Sequence, residues 1–363
     1  MRPGRGNLEN LGSSDLGNSR REGQWLVVSH LPDYPRPGKL APMTVPRMGH
    51  AGLRRLGKRV LFSAVAAVVG LVAGCRHSVP PEALPDWHRW QAHRLESVAG
   101  TNGWASLVGL HWLPEGPSTS GARADQTHRF PEGRAPEVVG VWHRNGPEVR
   151  LEPAPGVVVF KNGQPFQGGA LVTDAHGAKP DGISVGGLRI TVIDRGGRLG
   201  LRVKDSLAPT RRGFTGLPHF NWSPHWVLPA RLEPADPGAT LTMDTVIGSR
   251  ESMPLAGTLI FEIAGKPHRL QAALDTETDD LFVLFRDTTN GRQTYGAGRF
   301  LHAPKPDAAG RTTLDFNRAY NPPCAFTPFA TCPRTPAENR LPVPVLAGER
   351  QYRGASDFHR AMR

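Results

Sequence analysis

The chain has 363 residues, enough for one large domain or two ordinary ones, and its 42 glycines and 35 prolines argue for many turns and short strands rather than long helices. Its formal net charge of +12 would suggest a polyanion partner if it were spread evenly. However, residues 1–74 hold 11 Lys/Arg against 4 Asp/Glu, which leaves 33 basic and 28 acidic residues from Cys75 onward with the signs interspersed, so that part carries no nucleic-acid-binding signature.

Residues 1–47 are polar, rich in Pro and Gly and without hydrophobic periodicity, as expected of a disordered stretch or of a start site placed too far upstream. Residues 48–59 then carry four cationic side chains and no acidic one, and 60–74 are apolar up to Cys75. A basic flank followed by a short apolar run is the pattern of a secretory signal, and about fifteen residues is short of the roughly 20 a spanning helix needs. The end of the run, Val72-Ala73-Gly74-Cys75, resembles the bacterial lipobox, in which small residues admit the peptidase and the cysteine thiol is acylated. The expectation is a signal peptide over 48–74, translation starting at Met43 or Met48, and a fatty-acylated Cys75 anchoring the protein in the cell envelope. Arg76 at the next position favours the periplasmic face of an outer membrane.

Residues 75–86 read as a proline-containing tether. Over 84–98 the spacing of Leu84, Trp87, Leu95 and Val98, with Trp90 between, predicts one amphipathic helix closed by Gly100. The apolar run 104–113 predicts a strand burying two indoles. Short strands separated by turn signals follow at 138–142, 149–151, 157–160, 171–173, 188–193 and 199–203, with Asn162-Gly163 and Gly196-Gly197 as hairpin turns. More are predicted at 225–232, 240–245, 257–263, 268–274, 281–285 and 312–316. The expected fold is mainly β, a sandwich or partly closed barrel with a short N-terminal helix and a loop-rich C-terminal segment, forming one domain over 87–353 before a tail at 354–363. His219 and His225, in the loop LPHFNWSPHW, have no acidic or thiol partner at ligand spacing, so no metal is expected there.

The densest polar segment is C-terminal: FRDTTNGRQTYGAGRF, then LDFNRAYNPPCAFTPFATCPRTPAENRL, then AGE. With the Gly103-Trp104 to Leu113 segment, these motifs resemble the family catalogued as domain of unknown function 1684, over roughly residues 87–353. One departure is Arg334-Thr335-Pro336 after Cys332-Pro333, where the family often continues Leu-Pro-Pro. The resemblance implies a single domain and no established reaction.

Within this segment, strand alternation would set Leu314, Phe316 and Arg318 on one face and Asp315, Asn317 and Ala319 on the other. Cys324 and Cys332 read as a disulfide in an oxidising compartment. The candidate ligand or catalytic residues are Tyr295, Arg299, Asp315, Asn317, Asn321, Glu338, Asn339, Arg340 and Glu349. Three readings fit them: a buried polar network; a small or extended ligand held by Arg299 or Arg340, with Asn and Tyr setting its orientation; or hydrolysis by a carboxylate pair such as Asp315 with Glu338 or Glu349. No phosphate loop, dinucleotide motif or His-Glu-x-x-His helix occurs, so no cofactor is expected. The expected partners are a membrane, through the lipid anchor, and a small-molecule ligand.

Overall fold

A computed structural model describes residues 83–276 and 278–354. The expectations for 1–47, for the signal peptide, for Cys75 and for the end of the tail lie outside the described residues. The described chain is mainly β, and no helix in it is long and apolar enough to cross a membrane.

Two sheets enclose the first half. The six-stranded one runs in the order Leu107–Trp112, Arg198–Asp205, Leu188–Arg195, Gly182–Val185, Phe160–Lys161, Gln164–Pro165, and the five-stranded one is centred on Gly116–Gly121, Gly140–Asn145 and Glu148–Pro153. Their facing side chains form one core around Trp142, Leu151, Ile190 and Leu201. Both expected hairpins close with two consecutive positive φ values, 53° and 84° at Asn162-Gly163 and 67° and 81° at Gly196-Gly197, which matches the right-handed twist of the flanking strands.

The second half is a seven-stranded antiparallel sheet whose middle includes Arg250–Ile263, Lys266–Leu274 and Leu281–Phe285. The unbroken apolar run LFVLF is explained by burial on both faces. Leu281, Val283 and Phe285 enter one cluster with Leu259, Leu270 and Leu301, while Phe282 and Leu284 enter the opposite one with Met253, Phe300 and Cys332.

Three expectations are corrected. The run 104–113 opens with a 3-10 turn at Trp104–Ser106, and only then becomes the strand Leu107–Trp112. Its two indoles are half-buried, each beneath a cation: Arg202 lies 5.3 Å from the Trp104 ring centre, and Arg198 lies 4.2 Å from that of Trp112. The predicted helix is present as α1, Ala83–Ala99, starting inside the stretch read as tether, but its apolar pattern is misleading. Leu84 and Leu95 are exposed, whereas Trp87, Arg94 and Val98 are buried.

Candidate functional site

Most of the sequence-predicted site residues are drawn inward, and α1 accounts for much of this. Glu349 is fully buried with both carboxylate oxygens occupied: Arg94 Nε donates to Oε1 at 2.8 Å and the Asn321 backbone N–H donates to Oε2 at 2.8 Å. Arg94 Nη2 also donates to the Asn321 carbonyl at 2.6 Å, and Asn321 Nδ2 donates to the Arg350 carbonyl at 2.8 Å. One helix residue therefore ties together two points of the C-terminal segment.

Arg299 is likewise fully buried. It donates to Asp287 Oδ2 at 2.8 Å, to the Val345 carbonyl at 3.0 Å and to the Ala347 carbonyl. Burial pulls its pKa below the usual arginine value, opposed by the adjacent Asp287. Asn339 Nδ2 donates to the carbonyls of Gln271 and Leu284, and its Oδ1 accepts from the Gln271 amide at 2.7 Å, so it fills the gap between two internal strands where their own pairing has ended at Ala273 and Phe282. Glu338 and Arg340 on either side are exposed.

The alternation expected at 314–319 ends after one step. The strand stops at Asp315, whose side chain accepts from the Asn317 amide and caps a 3-10 turn at Phe316–Arg318. Asp315 and Asn317 do meet, but through Asn317 Nδ2 donating to Asp315 Oδ1 at 2.9 Å, and Asn317 is further committed to Ser223. Burial raises the Asp315 pKa, against the lowering effect of Asn317 and Arg318. The carboxylate pair thus lacks its geometry: Asp315 is engaged by Arg318 at 3.2 Å, Glu349 has no exposed surface, and Glu338 is out in solvent.

The expected disulfide is also absent; both cysteines are free. Cys332 Sγ instead accepts the Cys324 backbone N–H at 3.2 Å, within an apolar cluster that includes Phe282 and Ala330. A buried thiol there behaves as a small hydrophobe with weak acceptor capacity. Tyr295 donates to the Cys324 carbonyl at 3.1 Å, which orders the same loop.

What remains open is a cleft of about 540 Å³ beside this network, lined by residues 215–218, Arg292, Gln293 and residues 350–353. Three chain segments build it. Arg350 N–H donates to the Pro218 carbonyl at 2.7 Å and Gln351 N–H to the Gln293 carbonyl at 2.9 Å, while the buried Tyr352 ring stacks on Phe214 at 5.0 Å as a floor. Arg292, Gln293, Arg350 and Arg353 are exposed on its walls, with Gln351 half-buried beside them, and no acidic residue is among its lining. None of these residues is among the candidates that the sequence offers. The Arg-Gln-Tyr-Arg sequence at 350–353 was the available signal, and its meaning depends on Arg292 lying opposite.

Residues 212–350 match the family model described as "Protein of unknown function (DUF1684)". That match is narrower than the expected extent of 87–353, and the Gly103-to-Leu113 segment lies outside it. The chain is also similar to an uncharacterized protein of Haloarcula marismortui solved by NMR in solution, at 31% identity over 39% of this chain and 80% of that one, with a TM-score of 0.33. No curated protein matches.

Proposed function

Since residues 212–350 belong to the DUF1684 family, whose description assigns no reaction, we propose from geometry that the protein binds an anionic ligand, carboxylated or phosphorylated, in the cleft between residues 215–218, 292–293 and 350–353, and that it does so as a lipid-anchored protein of the cell envelope. The observation that carries the binding role is a cleft lining that includes Arg292, Arg350 and Arg353 with two glutamines and no carboxylate. Guanidinium groups pair with carboxylate and phosphate through two parallel hydrogen bonds, and the glutamines add neutral donors that fix orientation. The buried network beneath holds the walls in place: the Arg350 carbonyl is bonded to Asn321, and Glu349 next to it is bonded to Arg94.

The test is thermal melting of the protein with inorganic phosphate and glycerol phosphate, using glycerol as the neutral control. Saturable stabilisation is expected from the anions only, about 2.7 kcal/mol at a hundredfold excess over Kd. The Arg292→Ala/Arg350→Ala double variant should melt like the wild type without ligand and lose the shift. A shift that persists in the double variant, or none in the wild type, ends this reading.

The envelope address rests on the basic flank, the apolar run and the lipobox-like Val72-to-Cys75 sequence. Metabolic labelling with a fatty-acid analogue should mark the wild type and not Cys75→Ser. Label retained in the variant would refute the anchor.

A further inference from the structure

Two kinds of residue line the arginine cleft. Arg292 and Arg350 come from different segments, and each is adjacent in sequence to one partner of the Gln351 N–H to Gln293 carbonyl bond, 2.9 Å, which fixes those segments against each other. Arg292 Nη2 donates to the Thr288 carbonyl at 3.0 Å, and the Arg350 guanidinium carbon lies 5.3 Å from the centre of the Phe220 ring. A guanidinium has five N–H groups, so these contacts steady the side chains and still leave donors for a ligand. Arg353 is the third cation, and no carboxylate in the lining offsets the three.

The segment 216–218, Gly-Leu-Pro, contributes no polar side chain. Two of its carbonyls are already taken: that of Leu217 accepts from His219 Nδ1 at 2.7 Å and that of Pro218 accepts the Arg350 N–H at 2.7 Å. Pro218 has no N–H to offer. The backbone and side chain of Thr215 both hydrogen-bond the Tyr352 hydroxyl, so the floor of the cleft presents no unpaired hydroxyl either.

Size and charge narrow the ligand further. At about 540 Å³ the cleft is several times larger than a bare phosphate or carboxylate, which at roughly 30 Å³ per water-sized group takes up on the order of 100 Å³. The ligand therefore has an organic part. A carboxylate brings one charge and two oxygens, which a single guanidinium fork can occupy. A phosphate monoester brings three terminal oxygens and a charge of roughly −1.5 to −2 at neutral pH, which suits three uncompensated cations better.

We propose that the ligand of this cleft is a soluble phosphate monoester with an apolar organic part, its phosphate on the arginines and its organic part against Leu217 and Pro218. This assignment rests on the anion-binding role of the cleft and narrows it to one ligand class. The volume left beside the phosphate, about fifteen water-sized groups, fits a soluble ester rather than a two-chain lipid.

The test is calorimetric titration of the full chain with inorganic phosphate, glycerol phosphate, n-butyl phosphate and pentanoate. n-Butyl phosphate should bind about tenfold tighter than glycerol phosphate, the return expected from burying two of its four carbons, and tighter than pentanoate by at least as much. Pro218→Ser should narrow the gap between the two esters to about threefold or less. Arg353→Ala should weaken n-butyl phosphate about tenfold and pentanoate much less, because a carboxylate is saturated by fewer guanidinium groups. The wild-type comparison decides by itself if either variant fails to fold. If inorganic and glycerol phosphate both fail to bind, the anion-binding role falls and this assignment with it. If they bind but n-butyl phosphate is no tighter than glycerol phosphate, or pentanoate matches it, only the ligand class is overturned. Phosphatidylcholine vesicles with and without phosphatidate, mixed with the unacylated Cys75→Ser chain, distinguish a lipid source: sedimentation with the phosphatidate vesicles alone would overturn the soluble ester.

Discussion

Arg94 is where a single side chain matters most. It is a charged residue on a surface-type helix, yet it is 4% exposed and bonded to Glu349, Asn321 and Ser97. Removing one member of a buried pair leaves the other charge uncompensated, which costs about 3–5 kcal/mol, while replacing both with apolar residues of similar volume can be neutral. Arg94→Ala should therefore lower unfolding stability by about 3–5 kcal/mol in urea titration, and the double variant Arg94→Met/Glu349→Leu should recover most of the loss. If the double variant is less stable than Arg94→Ala, the pair is not the source of the effect. Helical spacing pointed to Leu84, Trp87, Leu95 and Val98 as inward residues; Trp87 and Val98 are buried, but Arg94 goes inward in place of Leu95 because part of the surface that α1 packs against is polar: Asn317 offers its carbonyl to Trp87 and Glu349 its carboxylate to Arg94. Nothing within α1 itself records what it will meet more than 200 residues later.

Strands and turns were more legible, because their signals are local. Asn-Gly and Gly-Gly turns and two-faced apolar runs act through nearest neighbours, and the corresponding hairpins and the strand Leu281–Phe285 form as expected. The strand Arg250–Ile263 begins earlier than its apolar pattern, because it bends at a bulge between Leu255 and Gly257 and continues to pair with Thr240–Asp244 on its other side. At the bulge Gly257 has φ 150°, and a Cβ there would lie 2.1 Å from the Glu233 carbonyl oxygen, a backbone atom that cannot move aside without breaking the pairing. Gly248 also has positive φ but open space around it. Gly257→Ala should accordingly cost more than 2 kcal/mol, combining backbone strain with a clash, and Gly248→Ala about 1 kcal/mol, as read from the two denaturation midpoints. Equal losses would mean that the close approach is unimportant.

At the scale of the whole molecule, the two halves meet through a polar contact whose charge state depends on pH. Arg195 of the first half donates to Thr331 of the second at 3.1 Å, and Glu251 is buried beside Arg195, Arg202, Asp174 and Cys332. Burial raises Glu251 from 4.5 to about 7, with the two arginines opposing the shift. The folded state then holds this proton more tightly than the unfolded one, so the contribution is complete below about pH 4.5 and is lost as pH rises through 7. The wild type should lose on the order of 3 kcal/mol between pH 4.5 and 8 from this group, and Glu251→Gln should flatten that slope and be the more stable protein at pH 8. A slope unchanged in Glu251→Gln would assign the pH dependence elsewhere.

By itself the sequence determined the β class, the Asn162-Gly163 and Gly196-Gly197 hairpins, the strand at 281–285 and the location of the densest polar segment, all of which follow from periodicity and turn chemistry within about ten residues. Only the tertiary structure decided which polar residues are internal ties and which face solvent. Asp315, Asn317, Asn321, Asn339 and Glu349 look like a site in sequence because buried polar networks and binding sites draw on the same residue types. Partners remote in sequence tie most of them inward: Arg94 takes Glu349 and the Asn321 carbonyl, Gln271 takes Asn339, and Ser223 takes Asn317. Arg292 and Arg350 are left free of that network because their side chains are exposed where three segments part to form the cleft. Cys324 and Cys332 illustrate the same limit: their spacing permits a crosslink, but in the structure both thiols are free, hydrogen-bonded to each other, with Cys332 Sγ also accepting the Cys324 amide.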